Sequence, residues 1–429
     1  MEKVVALCKR RGFVFQSSEI YGGLSGLYDY GPYGVQLKRN LRDLWWKHVV
    51  ELRDDVVGLE STILMHPEVW RASGHVDNFV DPLRQCEGEC KKRWRADHVE
   101  GDRCPQCGGP LGEVRQFNLM FKTTIGPLED SSAIAYLRPE TAQGMFVDFK
   151  SVINSTRVRV PFGIAQQGKS FRNEITPGNF VFRVREFEQM EMEFFVKPGD
   201  DETWFEHWKI ERLFWYTNVL GVRSERLRLR DHGLDEKAHY AKASTDIEYE
   251  FPFGWSELEG IASRTDFDLR AHQDRSGQDL SYLDPETNER FLPYVIEPAV
   301  GVDRILITCL LDAYDEDEVK GETRVVLRLH RNTAPVQVAV MPLSKKEELI
   351  GPAREVLDLV RPNFRVEYDQ TGGNIGKRYR RQDEIGTPFC VTIDFETNVD
   401  RAVTIRERDS MEQVRVPIVE LIDQLKTRF

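Results

Sequence analysis

Phe171-Arg172-Asn173-Glu174-Ile175-Thr176-Pro177-Gly178-Asn179-Phe180-Val181-Phe182-Arg183-Val184-Arg185-Glu186-Phe187-Glu188-Gln189-Met190-Glu191 is the stretch whose reading decides the fold. Its second half alternates. Met190, Met192 and Phe194 point one way along a strand, while Arg183, Arg185, Phe187, Gln189, Glu191 and Glu193 point the other. A solvated edge strand with cross-strand ion pairs would account for the charges. It would not account for Phe187, since a large ring gains nothing by facing water. Arginine beside a ring makes a surface for a flat, phosphorylated ligand, through forked hydrogen bonds and cation–π contact.

A second stretch, Glu297-Pro298-Ala299-Val300-Gly301-Val302-Asp303-Arg304, precedes the apolar run ILITCLLDAY. A strand ends, glycine permits a tight turn, and a helix begins with arginine in its first turn. That position is unfavourable for an unpaired cation because the helix N-terminus is already positive. A bound anion would resolve the conflict, whereas a solvent-exposed arginine would leave it unresolved.

Around these two stretches the pattern mixes strands with amphipathic helices. Residues 36–52 place Leu37, Leu41, Leu44, Trp45 and His48 at spacings of three and four, which predicts a helix. A loop and strand follow over 58–67. Residues 158–195 read as strand–loop–strand, 200–222 as a Trp-rich helix, and 245–253 and 291–299 as strands. Helices outside an antiparallel sheet suit an α+β domain. From HRNTAP at 330–335 the texture changes to the short β-rich runs VQVAVMP, FRVEYD, FCVTID and RAVTIRE, with helices near 344–361 and 417–427. Ser344 and Glu347 are spaced as a capping box, and Pro352 should kink or restart the first of these helices. The expected division is 1–330, containing an insertion at 84–116, and 335–429.

That insertion holds Cys86, Cys90, Cys104 and Cys107, four of the seven cysteines within 22 residues. Two knuckles, CEGEC and CPQCGG, have the spacing of a structural Zn²⁺ site with four thiolates and no open position. Four unconnected reduced thiols are the plain alternative. The segment has little apolar content, so metal binding would supply much of its folding free energy. An odd cysteine count beside an N-terminus with too short an apolar run for a signal peptide argues against a disulfide framework.

The net charge of −12 argues against nonspecific coating of nucleic acid. It is uneven: residues 335–429 carry 15 Lys+Arg against 16 Asp+Glu, leaving −11 on residues 1–334. The tail run Lys377-Arg378-Tyr379-Arg380-Arg381, after the glycine turn 371–376, interleaves basic and aromatic residues as RNA contacts do. A solvated helix face would look the same. His48, His66 and His239 have no metal spacing, and no Ser–His–Asp arrangement is supported. No stretch approaches the ~20 apolar residues of a membrane span, so a cytoplasmic location is expected.

The arginine-bearing stretches resemble motifs 2 and 3 of class II aminoacyl-tRNA synthetases, and Gly58–Pro67 resembles a looser motif 1. The runs FRNEITP, FRVREFEQMEMEFF, RPETAQGMF, GHVDNFVDPL, FNLMFKT and GWSELEGIASRTDFDL are similar to glycyl-tRNA synthetases of the homodimeric type. The resemblance spans nearly the whole chain. It implies an antiparallel catalytic domain flanked by helices, the zinc-ribbon-like insertion, and a C-terminal α/β anticodon-binding domain of the class IIa kind. It implies glycine, ATP with Mg²⁺ and tRNA(Gly) as ligands, and a homodimer.

Residue by residue, the resemblance implies an ATP site of Arg172, Asn173, Glu174, Phe182, Arg183, Val184, Arg185, Glu186, Phe187, Glu257, Leu258, Gly301, Val302, Asp303 and Arg304. Arg172 would bridge the glycine carboxylate and the α-phosphate, and Arg183 and Arg304 would hold the outer phosphates. Phe187 would stack on adenine with Arg304 on its other face, Glu174 would accept from the adenine amino group, and Glu257 would ligate Mg²⁺. The glycine site would comprise Arg95, Glu140, Phe187, Glu188, Gln189, Met190, Glu191, Glu297, Pro298, Ala299, Val300 and Gly301, with Glu140, Glu191 and Glu297 around the ammonium. Ala299 departs from the serine often found there. On pattern alone Phe171 and Phe182 read as core. Two rival readings are a class II synthetase for proline, threonine or serine, and a non-catalytic nucleic-acid-binding accessory protein. The latter class loses the motif 2 and 3 arginines, which are all present here.

Overall fold

The computed structural model describes residues 1–127, 133–233, 241–371 and 373–429. The Glu186–Val196 strand lies inside a seven-stranded sheet of order Leu227–Asp231, Ala243–Phe251, Gly254–Thr265, Tyr294–Gly301, Glu186–Val196, Phe162–Phe171 and Val56–Gly58. Every neighbouring pair is antiparallel except the last, which is parallel. The α+β reading of the sequence therefore describes this sheet. Register pairs Gln166 with Glu191, Glu191 with Ala299 and Ala299 with Gly260, so four strands contribute one row across the sheet.

Period two divides the central strand as its sequence suggests. Met190, Met192 and Phe194 join a core that includes Leu37, Leu41, Trp45, Trp208, Ile305 and Leu306. Those partners come from three helices, Pro32–Trp46, Asp201–Phe214 and Val302–Ala313. The first helix starts four residues before the predicted boundary because Pro32 occupies its first turn, where a missing N–H leaves nothing unpaired. Its last turn widens to a π-helix over Lys47–Glu51.

The tail forms a second sheet of order Val366–Tyr368, Val338–Pro342, Phe389–Ile393, Ala402–Glu407 and Gln413–Pro417. Its first three strands are parallel and the rest antiparallel. The predicted capping box is absent. The helix begins at Glu347 after Lys346, and the Ser344 hydroxyl accepts from Lys346 N at 3.4 Å instead. Pro352 does not restart this helix, which runs unbroken from Glu347 to Val360. The carbonyl it orphans, four residues back at Glu348, accepts from Asn398 Nδ2 at 3.1 Å.

Contacts join the tail to the body. Asn40 Nδ2 donates to the carbonyls of Thr333 and Ala334 at 2.9 and 3.1 Å, and Arg11 meets Glu384 at 2.5 Å. The cysteine segment hangs on a three-stranded sheet formed by Val80–Gln85, Arg93–Arg95 and Arg115–Asn118. Among the described residues no helix is long and apolar enough to cross a membrane.

Candidate active site

Above the polar face of the seven-stranded sheet lies a cleft of about 520 Å³. Its walls come from the loop between the Phe162–Phe171 and Glu186–Val196 strands, from the start of the Val302–Ala313 helix, and from the sheet beneath. The loop is a hairpin: Arg172 N donates to Arg185 O at 2.9 Å, and Gly178 bridges Arg183. Asn179 and Phe180 turn it with φ of 54° and 60°.

Cations gather at one end. Arg172 donates from Nε to Pro139 O at 3.0 Å, and its guanidinium lies 5.3 Å from the Phe187 ring centroid and 5.5 Å from that of Phe79. Arg304 lies over Phe182 at 4.6 Å, donates to Glu257 O at 3.0 Å and pairs with the Glu257 carboxylate at 3.1 Å. That guanidinium holds the Glu257 carboxyl below the usual range. Phe187 thus carries Arg172 against its ring. Arg183 also lines the cleft. The Arg93–Arg95 strand brings Arg95 to the cleft, paired with Asp81 at 3.0 Å and Asp97 at 2.8 Å.

Acids gather at the other end. Glu140 accepts from Gln143 Nε2 at 2.9 Å and pairs with His75 Nε2 at 3.3 Å. Burial opposes its ionisation, but His75 and Arg264 outweigh burial and hold it low. Glu191 accepts from the Thr141 backbone at 3.1 Å and from the Thr141 hydroxyl. Burial and the nearby Glu297 and Glu140 push its carboxyl up to about 8. Glu297 accepts from Arg264, whose fork is clamped on Asp268 at 2.7 and 2.9 Å. Burial outweighs Arg264 and pushes Glu297 up to about 7. Gly168, in the Phe162–Phe171 strand, lies against Arg138. A side chain there would meet Arg138, whose Nε donates to Lys169 O at 2.7 Å.

Of the residues expected in the site, Arg95, Glu140, Arg172, Glu174, Phe182, Arg183, Val184, Phe187, Gln189, Glu191, Glu257, Leu258, Glu297, Ala299, Val300, Gly301, Asp303 and Arg304 all line this cleft. Seven do not. Met190 and Val302 are in the core. Pro298 does not line the cleft, and Asn173 N is tied to Leu119 O at 2.8 Å. Glu186 pairs with Lys169 at 2.6 Å. Arg185 braces the hairpin, donating from Nη2 to Glu174 O at 2.9 Å. Glu188 turns to the opposite face, where Lys38 and Arg42 hold it at 3.2 and 2.9 Å. In a strand only alternate side chains share a face, so the side chains of the contiguous run 188–190 could not all reach one ligand.

Lys38 also reaches Asp303 at 2.9 Å, and Asp303 accepts from Glu188 N at 2.9 Å and from Tyr30. This buried network ties the Pro32–Trp46 helix to both arginine-bearing elements and was not read from the sequence. Also missed were Phe79, Asp81, His232, Ser244 and Asp246, all lining the cleft, and His75 behind Glu140. His75 and Phe79 lie in the GHVDNFVDPL run. Ser244 and Asp246 alternate on one strand, which is a legible signal.

The four clustered cysteines bring their sulfurs together. Cys86–Cys107, Cys90–Cys107 and Cys90–Cys104 are 3.4, 3.4 and 3.5 Å apart. A tetrahedron of thiolates at ~2.3 Å from Zn²⁺ has edges only slightly longer. Burial disfavours the Cys104 thiolate, but backbone N–H groups of Cys107 and Gln106 prevail and draw it down to about 6. The donor set fits zinc.

The basic run of the tail is placed differently from expectation. Arg378 is buried, paired with Asp369 at 3.2 Å and donating to Pro342 O at 2.7 Å. Tyr379 is bonded to the Thr392 hydroxyl at 2.6 Å, under the Arg406 guanidinium. Neither is presented for base stacking, while Lys377 is exposed. Gly372 of the preceding turn and His239 lie outside the described residues. His66 has a capping role, its Nδ1 accepting from Glu68 N at 3.2 Å.

Comparison with known proteins gives a consistent set of relatives. A family model described as tRNA synthetase class II core domain (G, H, P, S and T) matches residues 122–314, and one described as anticodon binding domain matches 337–428. A glycine–tRNA ligase of Treponema denticola is 55% identical over 440 residues, covering 100% of this chain and 97% of the relative. Another, of Thermobifida fusca, is 54% identical over 455 residues, covering 100% and 98%. Among solved structures, a prolyl-tRNA synthetase of Cryptosporidium parvum with halofuginone and AMPPNP aligns with TM-score 0.69 at 17% identity, covering 99% of this chain and 76% of that one. That likeness concerns the fold.

Proposed function

This chain belongs to the glycine–tRNA ligase family of class II aminoacyl-tRNA synthetases, and we propose that the cleft above is where it joins glycine to ATP and then to tRNA. The observation that carries the assignment is the division of the cleft into a cationic and an anionic end on one sheet face. Activation is attack of the glycine carboxylate on the α-phosphate, with pyrophosphate leaving. The protein's work is to position the reactants and stabilise charge.

Arg172, lining the cleft, bridges the carboxylate and the α-phosphate. Arg183 and Arg304 hold the outer phosphates, Phe187 stacks on adenine, and Glu174 accepts from its amino group. Glu257, with Asp246 close by, offers hard oxygen donors that fit Mg²⁺, which when bound neutralises phosphate charge. Glu140, Glu191 and Glu297 surround the ammonium. Glycine has no side chain to grip, so selection rests on gripping its amine and leaving no room at its α-carbon. Steric exclusion of larger competitors is an effective filter, and no editing site is needed.

We further infer that the cysteine module holds a structural Zn²⁺. Residues 1–330 form the catalytic unit and 335–429 the anticodon-binding unit, and the enzyme works in the cytoplasm on tRNA(Gly) as a homodimer. Exposed Ile20, Tyr21 and Leu24, in one loop, support the dimer. The test is pyrophosphate exchange with each of the twenty amino acids. Glycine alone should support it, and Arg172→Ala should lower its rate by ~3 kcal/mol or more in barrier terms. Exchange driven equally by proline, threonine or serine, or undiminished in Arg172→Ala, would refute the assignment.

A further inference from the structure

Behind Glu191 on the same strand lies Glu193, with no exposed surface and no hydrogen-bond donor at either carboxylate oxygen. It stands out because its neighbours are satisfied. Glu191 takes the Thr141 N–H and hydroxyl, and Glu297 accepts from Nη1 of Arg264, whose Nε and Nη2 grip Asp268. One carboxylate oxygen from each of Glu191, Glu193 and Glu297 lies within 4.8 Å of the others. The strand register, Glu191 with Ala299 and Phe194 with Ile296, sets Glu193 across from Glu297.

A bare carboxylate sealed from water without a donor is costly, and the usual resolution is for the group to keep its proton. We propose that Glu193 acts as a carboxylic acid, donating an O–H hydrogen bond to Glu297 and so positioning that carboxylate for the substrate's ammonium. Glu193 is then a positioning residue, acting through Glu297 without touching glycine. The surrounding charges agree. Glu191 on its own strand, Glu297 opposite and Asp268 on the Phe267–Ser276 helix all oppose its ionisation, and Arg264 is the cation facing it, already committed to Asp268 and Glu297. Glu140 lies near Glu191 and Glu297, held by His75. Burial, the largest effect, pushes the Glu193 carboxyl well above the carboxylate range. The arrangement leaves the amine pocket less negative than its count of acids suggests, with Glu297 held by donors on two sides.

The inference rests on the ammonium-pocket reading, so Glu191→Gln serves as the control that separates the two. Pyrophosphate exchange is measured against glycine and ATP from pH 6 to 9 for wild type, Glu193→Gln and Glu193→Ala. The amide keeps the donor and the shape, so Glu193→Gln should hold the glycine KM within about threefold, whereas Glu193→Ala should raise it about tenfold, the worth of one hydrogen bond to a charged group, without moving the ATP KM. Rescue by glutamine and not alanine is the signature. If Glu193→Gln raises the glycine KM as far as Glu193→Ala, the ionised form matters and the proposal is wrong. If neither variant moves it while Glu191→Gln does, Glu193 has no positioning role. If Glu191→Gln also leaves it unmoved, the pocket reading itself fails.

Thermal unfolding gives a readout independent of catalysis. An acid whose folded pKa is raised stabilises below its unfolded pKa, and that contribution is lost as pH climbs toward the folded value. The Tm advantage of Glu193→Gln over wild type should therefore widen from pH 5 to pH 9. A constant gap would overturn the proposal.

Discussion

The Val338–Pro342 strand of the tail sheet buries Val338, Ala339, Val340 and Met341 and no charge, whereas the Glu186–Val196 strand of the body sheet buries Glu188, Gln189, Glu191 and Glu193 beside Met190, Met192 and Phe194. Both strands are central and both are sealed from solvent. In the tail sheet the buried ionic groups belong to paired sets at its margins, such as Arg406 with Asp383 at 2.8 Å. In the body sheet one face is used the same way, with Lys38 and Arg42 neutralising Glu188, while the other face carries acids outnumbering their cations. Removing a charge from water costs several kcal/mol unless it is paired. A fold that keeps surplus acids at the end of a cleft has given up stability there, and a cationic ligand is what returns it.

The comparison can be broken first at the satisfied face. Lys38→Met leaves Glu188 and Asp303 without their shared cation, and should lower the unfolding free energy by about 3–5 kcal/mol. Because Asp303 precedes Arg304, the ATP KM should rise as well. Denaturant unfolding and exchange kinetics check both, and a loss under about 1 kcal/mol would mean that the network is ornamental. The tail sheet should answer differently. Ile393→Ala, at a fully buried position, should cost about 2–5 kcal/mol through lost packing, yet leave the glycine and ATP KM values for exchange unchanged. A change in glycine KM there would blur the distinction between the sheets.

How far the sequence anticipates this arrangement follows from which physical rule each region obeys. Period two is short-range and strong, so Phe187, Gln189 and Glu191 on one face and Met190 and Met192 on the other are readable in eleven consecutive residues. The same rule turns the side chains of Glu186, Glu188 and Met190 away from that face. Helical rotation divides the basic run of the tail. In five successive residues of one helix, about a third must turn inward, and Arg378 with Tyr379 do so. Lys38 and His75 owe their roles to partners distant in the chain, and nothing local marks them. The Ser344–Glu347 spacing makes no capping box because the helix starts at Glu347 itself, putting the serine two residues before the cap position at Lys346. The cysteine spacing, by contrast, carried its own geometry, since two knuckles closing on one another need few other partners.

The glycine end of the cleft admits the most direct measurement, the glycine and ATP dependence of pyrophosphate exchange for Glu191→Ala across pH 6 to 9. In wild type, kcat/KM for glycine should rise with pH as the carboxyls of Glu297 and Glu191, raised to about 7 and about 8, ionise in the empty site. The variant should show a glycine KM raised at least tenfold by loss of an ion pair in the buried pocket, with the ATP KM within about twofold and the upper part of that pH rise gone. Equal increases in both KM values, with the pH profile of wild type retained, would contradict the division of the cleft into a cationic end for triphosphate and an anionic end for the amine.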